Sequence, residues 1–152
     1  MPKRILTVCL GNICRSPLAE GILRQKIADA GLDWEVDSAG TGAWHVGNPP
    51  DPRSIAVARK NGLDIAHQRA RQFLAPDFAQ YDHILVMDAS NYQNVLRLAR
   101  SDADRARVEM IMNYADPGRN QAVPDPYWND DGFDQVYAML DRAAERFVAA
   151  HA

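Results

Sequence analysis

Apolar positions along the chain fall into two alternating rhythms. Short apolar runs at Arg4–Val8, His83–Met87 and Val108–Met112 read as buried strands, with a weaker one at Trp34–Asp37. Between them the spacing turns helical. Leu18, Ile22, Leu23 and Ile27 mark a helix over 17–30, and Ile55, Val57 and Ala58 one over 52–61. Tyr92, Val95, Leu96 and Leu98 mark a third over 90–99, and a short helical turn fits 76–80. The last helix runs from about Asp131 to Ala149, its core stripe formed by Phe133, Val136, Tyr137, Leu140, Ala144, Phe147 and Val148. Ser16 suits an N-cap, Pro17 a first helical position, and Gly31 and Gly62 helix stops. Strands alternating with helices imply an α/β sandwich around a parallel sheet.

In such a sheet, sites form at the carboxyl ends of the strands. Three stretches without periodicity, 9–16, 38–51 and 113–129, are therefore expected on one rim. The first carries the chemistry: Cys9-Leu10-Gly11-Asn12-Ile13-Cys14-Arg15-Ser16-Pro17 places a thiol six residues before an arginine, directly after a strand. A loop of this length can curl around a tetrahedral oxyanion, with the sulfur beneath it and the guanidinium across two of its oxygens. The following helix aims its unpaired N–H groups and positive dipole end at the sulfur. Arg15 adds a fixed charge, and the Ser16 hydroxyl can donate to the sulfur. All three favour the thiolate, against a reference pKa of about 8.5. Gly11 and Asn12 tolerate the left-handed backbone that a tight loop requires. These residues point to an enzyme that takes phosphoryl groups onto cysteine. A nucleotide P-loop is excluded, since no G-x-x-x-x-G-K-[ST] occurs.

A cysteine nucleophile also needs a proton donor to expel an alkoxide or phenoxide. The 113–129 stretch offers Asp116 and Asp125, each before a proline, with Asp130 and Asp131 close behind. Asp125 is the preferred acid, because Pro124 and Pro126 stiffen its segment and Tyr127 and Trp128 follow it. A bound phosphate dianion beside that carboxyl would keep it protonated through like charge.

Composition narrows the class. The 152 residues fit one domain, 1–152, with 47% hydrophobic and 24% charged content, ordinary for a soluble globular protein. A net charge of −3 argues against nucleic-acid binding. No apolar run approaches a membrane span, and Met1-Pro2-Lys3-Arg4-Ile5 carries no secretory pattern, so the cytoplasm is expected. Two cysteines in one loop do not make a structural disulfide framework.

The loop together with Asp125-Pro126-Tyr127 resembles the low-molecular-weight protein tyrosine phosphatases. Ser38-Ala39-Gly40-Thr41, Trp44-His45-Val46-Gly47, Asp51-Pro52-Arg53, Ala70-Arg71-Gln72 and Met87-Asp88-Ala89-Ser90-Asn91 extend the likeness along the whole chain. The resemblance implies a three-layer sandwich with a four-stranded parallel sheet and a metal-free, cofactor-free, two-step hydrolysis. Cys9 would attack phosphorus, Asp125 would act first as acid and then as base, and Arg15 would hold the equatorial oxygens. Leu10, Gly11, Asn12, Ile13, Cys14 and Ser16 would complete the cradle, with Asn12 holding its shape. Trp44 and Tyr127 would wall the phosphotyrosine ring, with Trp128 as a further specificity element. The expected partners are a phosphotyrosine-containing protein as substrate and inorganic phosphate or other oxyanions as inhibitors, with no nucleic acid, no membrane and no second subunit.

Three details depart from or add to that pattern. Relatives often carry a histidine two positions before Ala-Arg-Gln, supporting the loop asparagine; here Gln68 stands there, with His67 one residue earlier. Either Gln68 substitutes or His67 reaches across. His45, His83 and His151 read as surface or packing residues. Cys14 shares the loop with Cys9, so a sulfenic acid formed on Cys9 by peroxide could be captured as a disulfide. The alternative function is thiol-dependent arsenate reduction, on the same fold and loop. Those enzymes pass oxidation to further cysteines downstream, and this chain has none after Cys14.

Overall fold

Alternate side chains of the first strand enter two separate cores, as the period of a buried strand requires. Ile5 and Cys9 face one side, and Leu6 and Val8 the other. The computed structural model describes residues 2–152. Its elements run β1 (Arg4–Cys9), α1 (Arg15–Asp29), β2 (Glu35–Gly40), α2 (Pro52–Lys60), α3 (Asp77–Gln80), β3 (His83–Val86), α4 (Ala89–Leu96), α5 (Asp102–Ala106), β4 (Val108–Met110) and α6 (Phe133–His151). Short 3-10 turns lie at Ile111–Tyr114, Pro126–Trp128 and Asp130–Gly132.

The four strands form one parallel sheet in the order β2-β1-β3-β4. α1, α2 and α6 cover one face, where Leu18, Ile22, Leu23, Leu140, Ala144 and Phe147 are buried together. Phe73, Phe78, Tyr81 and Val95 close the other face over Leu6, Val8, Ile84 and Val86. This is the three-layer sandwich expected. Because β1 is central, the loop that follows it opens in the middle of the rim, with the ends of β2 and β3 on either side. Among the described residues, no helix is long and apolar enough to cross a membrane.

Several boundaries differ from the sequence pattern. α1 begins at Arg15, two residues early, and Cys14 takes the cap position instead of Ser16. β2 continues through Ser38-Ala39-Gly40, which the glycine content had suggested was loop, because Cys9 and Gly40 pair in register. β4 stops at Met110 and a 3-10 turn takes Ile111 and Met112. α5 has no buried residue and hence no apolar period to announce it; the Ser101 hydroxyl caps it by accepting from the Asp104 N–H. α4 ends at Leu96, which leaves Leu98 beyond the helix and 40% exposed.

The end of α6 is fastened to the sheet by a polar cluster. The Tyr114 hydroxyl donates to Glu109 Oε1 at 2.7 Å and lies 3.0 Å from His151 Nε2. His83 Nδ1 meets Glu109 Oε2 at 3.0 Å, Lys3 Nζ meets His83 Nε2 at 3.4 Å, and the two imidazole rings lie 4.5 Å apart. Burial and the neighbouring His83 and Lys3 hold His151 below the usual histidine range. Burial would raise Glu109, but hydrogen bonds from His83 and Tyr114 bring it below the usual carboxylate range. Both groups bind protons more weakly in the folded chain than in the unfolded one. Their stabilisation is therefore complete above about pH 6.5 and falls away as acid protonates first the histidine and then the carboxylate. Thermal melting should move to lower temperature between about pH 7.5 and 5.5, with a shallower slope in His151→Gln. A melting temperature unchanged across that interval would contradict this role.

Candidate active site

Residues 9–15 turn from the end of β1 into α1, and their hydrogen bonds divide by polarity. The carbonyls of Cys9, Leu10 and Ile13 accept from the N–H groups of Thr41, Gly42 and Asp51 at 2.8–2.9 Å. The carbonyl of Cys14 accepts from Leu18 N–H and from the Ser54 hydroxyl. The N–H groups of Leu10 through Cys14 donate to none of the described residues. Carbonyls tied outward and N–H groups left over make a concave anion-binding nest at a helix N-terminus.

Asn12 shapes this turn. Its φ is +58°, in the left-handed region that asparagine enters more readily than most residues. Its side-chain amide donates to Ser16 Oγ at 2.8 Å and Ser38 Oγ at 2.9 Å, while its Oδ1 accepts from Arg71 N–H at 3.0 Å. Ser38 passes its proton on to Glu20 Oε1 at 2.8 Å, and Arg24 pairs with the same carboxylate at 2.7 Å. Burial raises Glu20 despite those partners. Neither Gln68 nor His67 supports Asn12: Gln68 Nε2 donates to Pro17 O at 3.1 Å, and His67 is exposed. The two serines and the Arg71 amide serve instead.

Cys9 is buried at the floor, with its sulfur 3.0 Å from Ser16 Oγ. That hydroxyl accepts from Asn12 and can place its own proton on the sulfur or, at 3.4 Å, on Ala39 O. Cys14 is also buried, and both cysteines are free. Burial, with Asp51 and Cys9 nearby, pushes the Cys14 thiol up to about 12. Cys14 is therefore protonated and inert at neutral pH.

Arg15 is buried as well. One guanidinium nitrogen donates to Asp88 Oδ2 at 2.7 Å and to Val123 O at 3.0 Å, and the other lies 3.7 Å from Asp125 Oδ2. Burial alone would weaken its charge, but Cys9, Asp88 and Asp125 raise its pKa and keep it cationic. Asp88 was not singled out from the sequence. It caps α4, its Oδ1 accepting from Asn91 N–H at 2.8 Å, and an aspartate opening a helix after a strand was the available signal.

Asp125 caps the turn Pro126–Trp128, Oδ1 accepting from Tyr127 N–H at 3.1 Å, and reaches the mouth of the loop. Arg53 ties this segment down: it pairs with Asp51 and Asp130, and its guanidinium lies 5.6 Å from the Tyr127 ring centre. Trp44 and Trp128 stand 73% and 89% exposed, and Trp128 meets Tyr127 edge-on at 4.8 Å. The resulting cleft, about 170 Å³, is lined by Cys9, Leu10, Gly11, Ile13, Cys14, Arg15, Trp44, Asp125, Tyr127 and Trp128. Asn12 and Ser16 lie beneath it as buried supports. His45, expected as a surface or packing residue, also lines the cleft, its ring against Gly11. A larger groove of about 630 Å³ follows the edge of β4, but its one carboxylate, Glu109, is already held by His83 and Tyr114.

A thiol and an arginine around an N–H nest, on the rim of a parallel α/β sheet, define a class of oxyanion-handling enzymes. The family profile described as low molecular weight phosphotyrosine protein phosphatase matches residues 4–151. The Schizosaccharomyces pombe protein of that name is 44% identical over 149 residues, 95% of this chain and 94% of the relative. A Streptomyces coelicolor low molecular weight protein-tyrosine-phosphatase is 42% identical, over 99% of this chain and 94% of the relative. The crystal structure of a protein tyrosine phosphatase from Entamoeba histolytica, with Hepes in its active site, superposes with a TM-score of 0.92 at 31% identity, covering 98% and 96% of the two chains. The chain belongs to the low molecular weight phosphotyrosine protein phosphatase family and is an enzyme of that type.

Gly40 gives a direct test of the nest. A Cβ there would lie 2.8 Å from Leu10 O and 3.0 Å from Asn12 N, both unyielding backbone atoms. Gly40→Ala should weaken binding of inorganic phosphate at least tenfold by displacing the loop, while far-UV circular dichroism stays native. Unchanged phosphate affinity would show that the loop does not depend on this contact.

Proposed function

We propose that this chain hydrolyses phosphotyrosine in proteins, and simple aryl phosphates, through a phosphocysteine intermediate. The observation that carries the reading is the convergence of Cys9, Arg15 and Asp125 on one nest of undonated N–H groups. The N–H groups and the Arg15 fork hold the phosphate dianion, and their attraction persists as charge develops in the transition state. The Cys9 thiolate, steadied by the Ser16 proton, attacks phosphorus from below as the bond to the aryl oxygen breaks. Asp125, at the mouth of the cleft, gives its proton to the departing phenoxide. Water then attacks the phosphocysteine. Asp125 takes its proton, inorganic phosphate leaves, and Cys9 returns as thiolate.

Substrate shape follows from the walls. Trp44 and Tyr127 flank a slot that admits a flat phenyl ring, with contacts worth roughly 0.5–1.5 kcal/mol per aromatic pair beyond burial. Asp88 acts by positioning: it spends one guanidinium nitrogen of Arg15 so that the remaining donors face the anion.

Cys9→Ser should abolish hydrolysis of p-nitrophenyl phosphate yet leave phosphate binding measurable. Asp125→Ala should slow phenyl phosphate by about two decades and p-nitrophenyl phosphate much less, since a good leaving group needs little protonation. A uniform loss across leaving groups would assign the acid elsewhere. Thiol-dependent arsenite formation outrunning ester hydrolysis would carry the alternative, arsenate reduction.

A further inference from the structure

Trp44 has a second side. Beyond it, away from Cys9, lies a groove of about 350 Å³ whose walls include Leu10, Trp44, Phe73, Arg97 and Leu98. Leu10 and Trp44 line both this groove and the catalytic cleft, so the two spaces are neighbours across one indole. The indole is seated on Gly42, where an added Cβ would fall 2.0 Å from its Cζ3. A glycine thus holds this partition in place.

The groove's apolar surface is not explained by packing. Leu10 and Leu98 are each 40% exposed, and Leu98 lies past the end of α4, outside any helical stripe. Its charge is one-sided. Among the described residues, the Arg97 guanidinium bonds only Asn94 Oδ1, at 3.0 Å, and no aspartate or glutamate lines the groove.

We propose that this groove is a substrate subsite for the polypeptide flanking the phosphotyrosine, taking an apolar side chain against Leu10, Trp44 and Leu98 with a neighbouring carboxylate on Arg97. The assignment rests on the phosphatase reading above and deepens it to a class of substrate. A phosphotyrosine seated in the cleft places its neighbours within reach, since an extended chain advances about 3.3–3.6 Å per residue. An acidic, apolar flank matches the chemistry of the walls. A simple aryl phosphate never touches them.

The test compares phosphotyrosine peptides carrying Leu and Glu within three residues on either side against peptides with Ser and Lys there, using p-nitrophenyl phosphate as the reference. The wild-type kcat/KM should favour the Leu/Glu peptides by about tenfold on one flank. Leu98→Ser should erase the Leu preference and Arg97→Glu should turn the Glu preference toward Lys, both with p-nitrophenyl phosphate turnover within about twofold of wild type. Two exposed positions leave the fold intact, which circular dichroism checks. Peptide preferences that survive both substitutions would overturn the subsite alone, as would losses shared equally by p-nitrophenyl phosphate. A groove filled by a second copy of the chain would show as self-association lost in Leu98→Ser with peptide kinetics unchanged, and would overturn it too. Absence of p-nitrophenyl phosphate turnover in the wild type would instead remove the phosphatase reading beneath it.

Discussion

Asn12 turns the chain through a left-handed φ of 58° with its side chain buried, and the hydrogen bonds of that side chain fix the surroundings of the site. Both amide hydrogens are used, on Ser16 and Ser38, and the carbonyl oxygen is taken by Arg71 N–H. Each bond is worth only about 1 kcal/mol net, but losing one strands a buried polar atom at a cost of roughly 1–3 kcal/mol. One small side chain thereby joins β2, α1 and the segment before Phe73 around the loop. It also anchors the Ser16 hydroxyl 3.0 Å from the sulfur of Cys9, where that hydroxyl can donate to a thiolate.

The same economy governs the charges. A buried guanidinium is unfavourable unless it is paired, and Arg15 meets Asp88, Val123 O and the more distant Asp125. Those partners come from the ends of β3 and the long loop before α6, so the parallel sheet is what brings them to one point. Glu20, buried behind Ser38, ends the chain of hydrogen bonds that starts at Cys9 and runs through Ser16 and Asn12. The nest thus sits on a scaffold in which the side chains of Asn12, Ser38 and Arg15 are hydrogen-bonded, while the N–H groups of Leu10 through Cys14 donate to none of the described residues.

Much of this was legible beforehand, for physical reasons. The helical stripes of α1 and α6 and the apolar runs of β1 and β3 are strong periodic signals, and the Cys9–Arg15 spacing is a local feature that survives any packing. What escaped depends on contacts distant in sequence. Ser38-Ala39-Gly40 looked like a turn until Gly40 was seen paired with Cys9. His45 lines the cleft with its ring packed closely against Gly11, a contact between loops that no local pattern announces. Gln68 stands where relatives often carry histidine, yet among the described residues its side-chain oxygen finds no partner and its nitrogen serves Pro17 instead. Asp88 could be read as a helix cap, but nothing local shows that its second oxygen meets an arginine 73 residues earlier.

The most direct measurement of the central claim is the rate of iodoacetate alkylation of Cys9 against pH, with and without inorganic phosphate. Cys14, pushed up to about 12, stays silent over the useful range, so one thiol reports. A sulfur held ionised in an anion cradle reacts at pH 6 nearly as fast as at pH 8, and saturating phosphate protects it. Alkylation that follows free cysteine, whose pKa is about 8.5, with no protection by phosphate, would contradict the account.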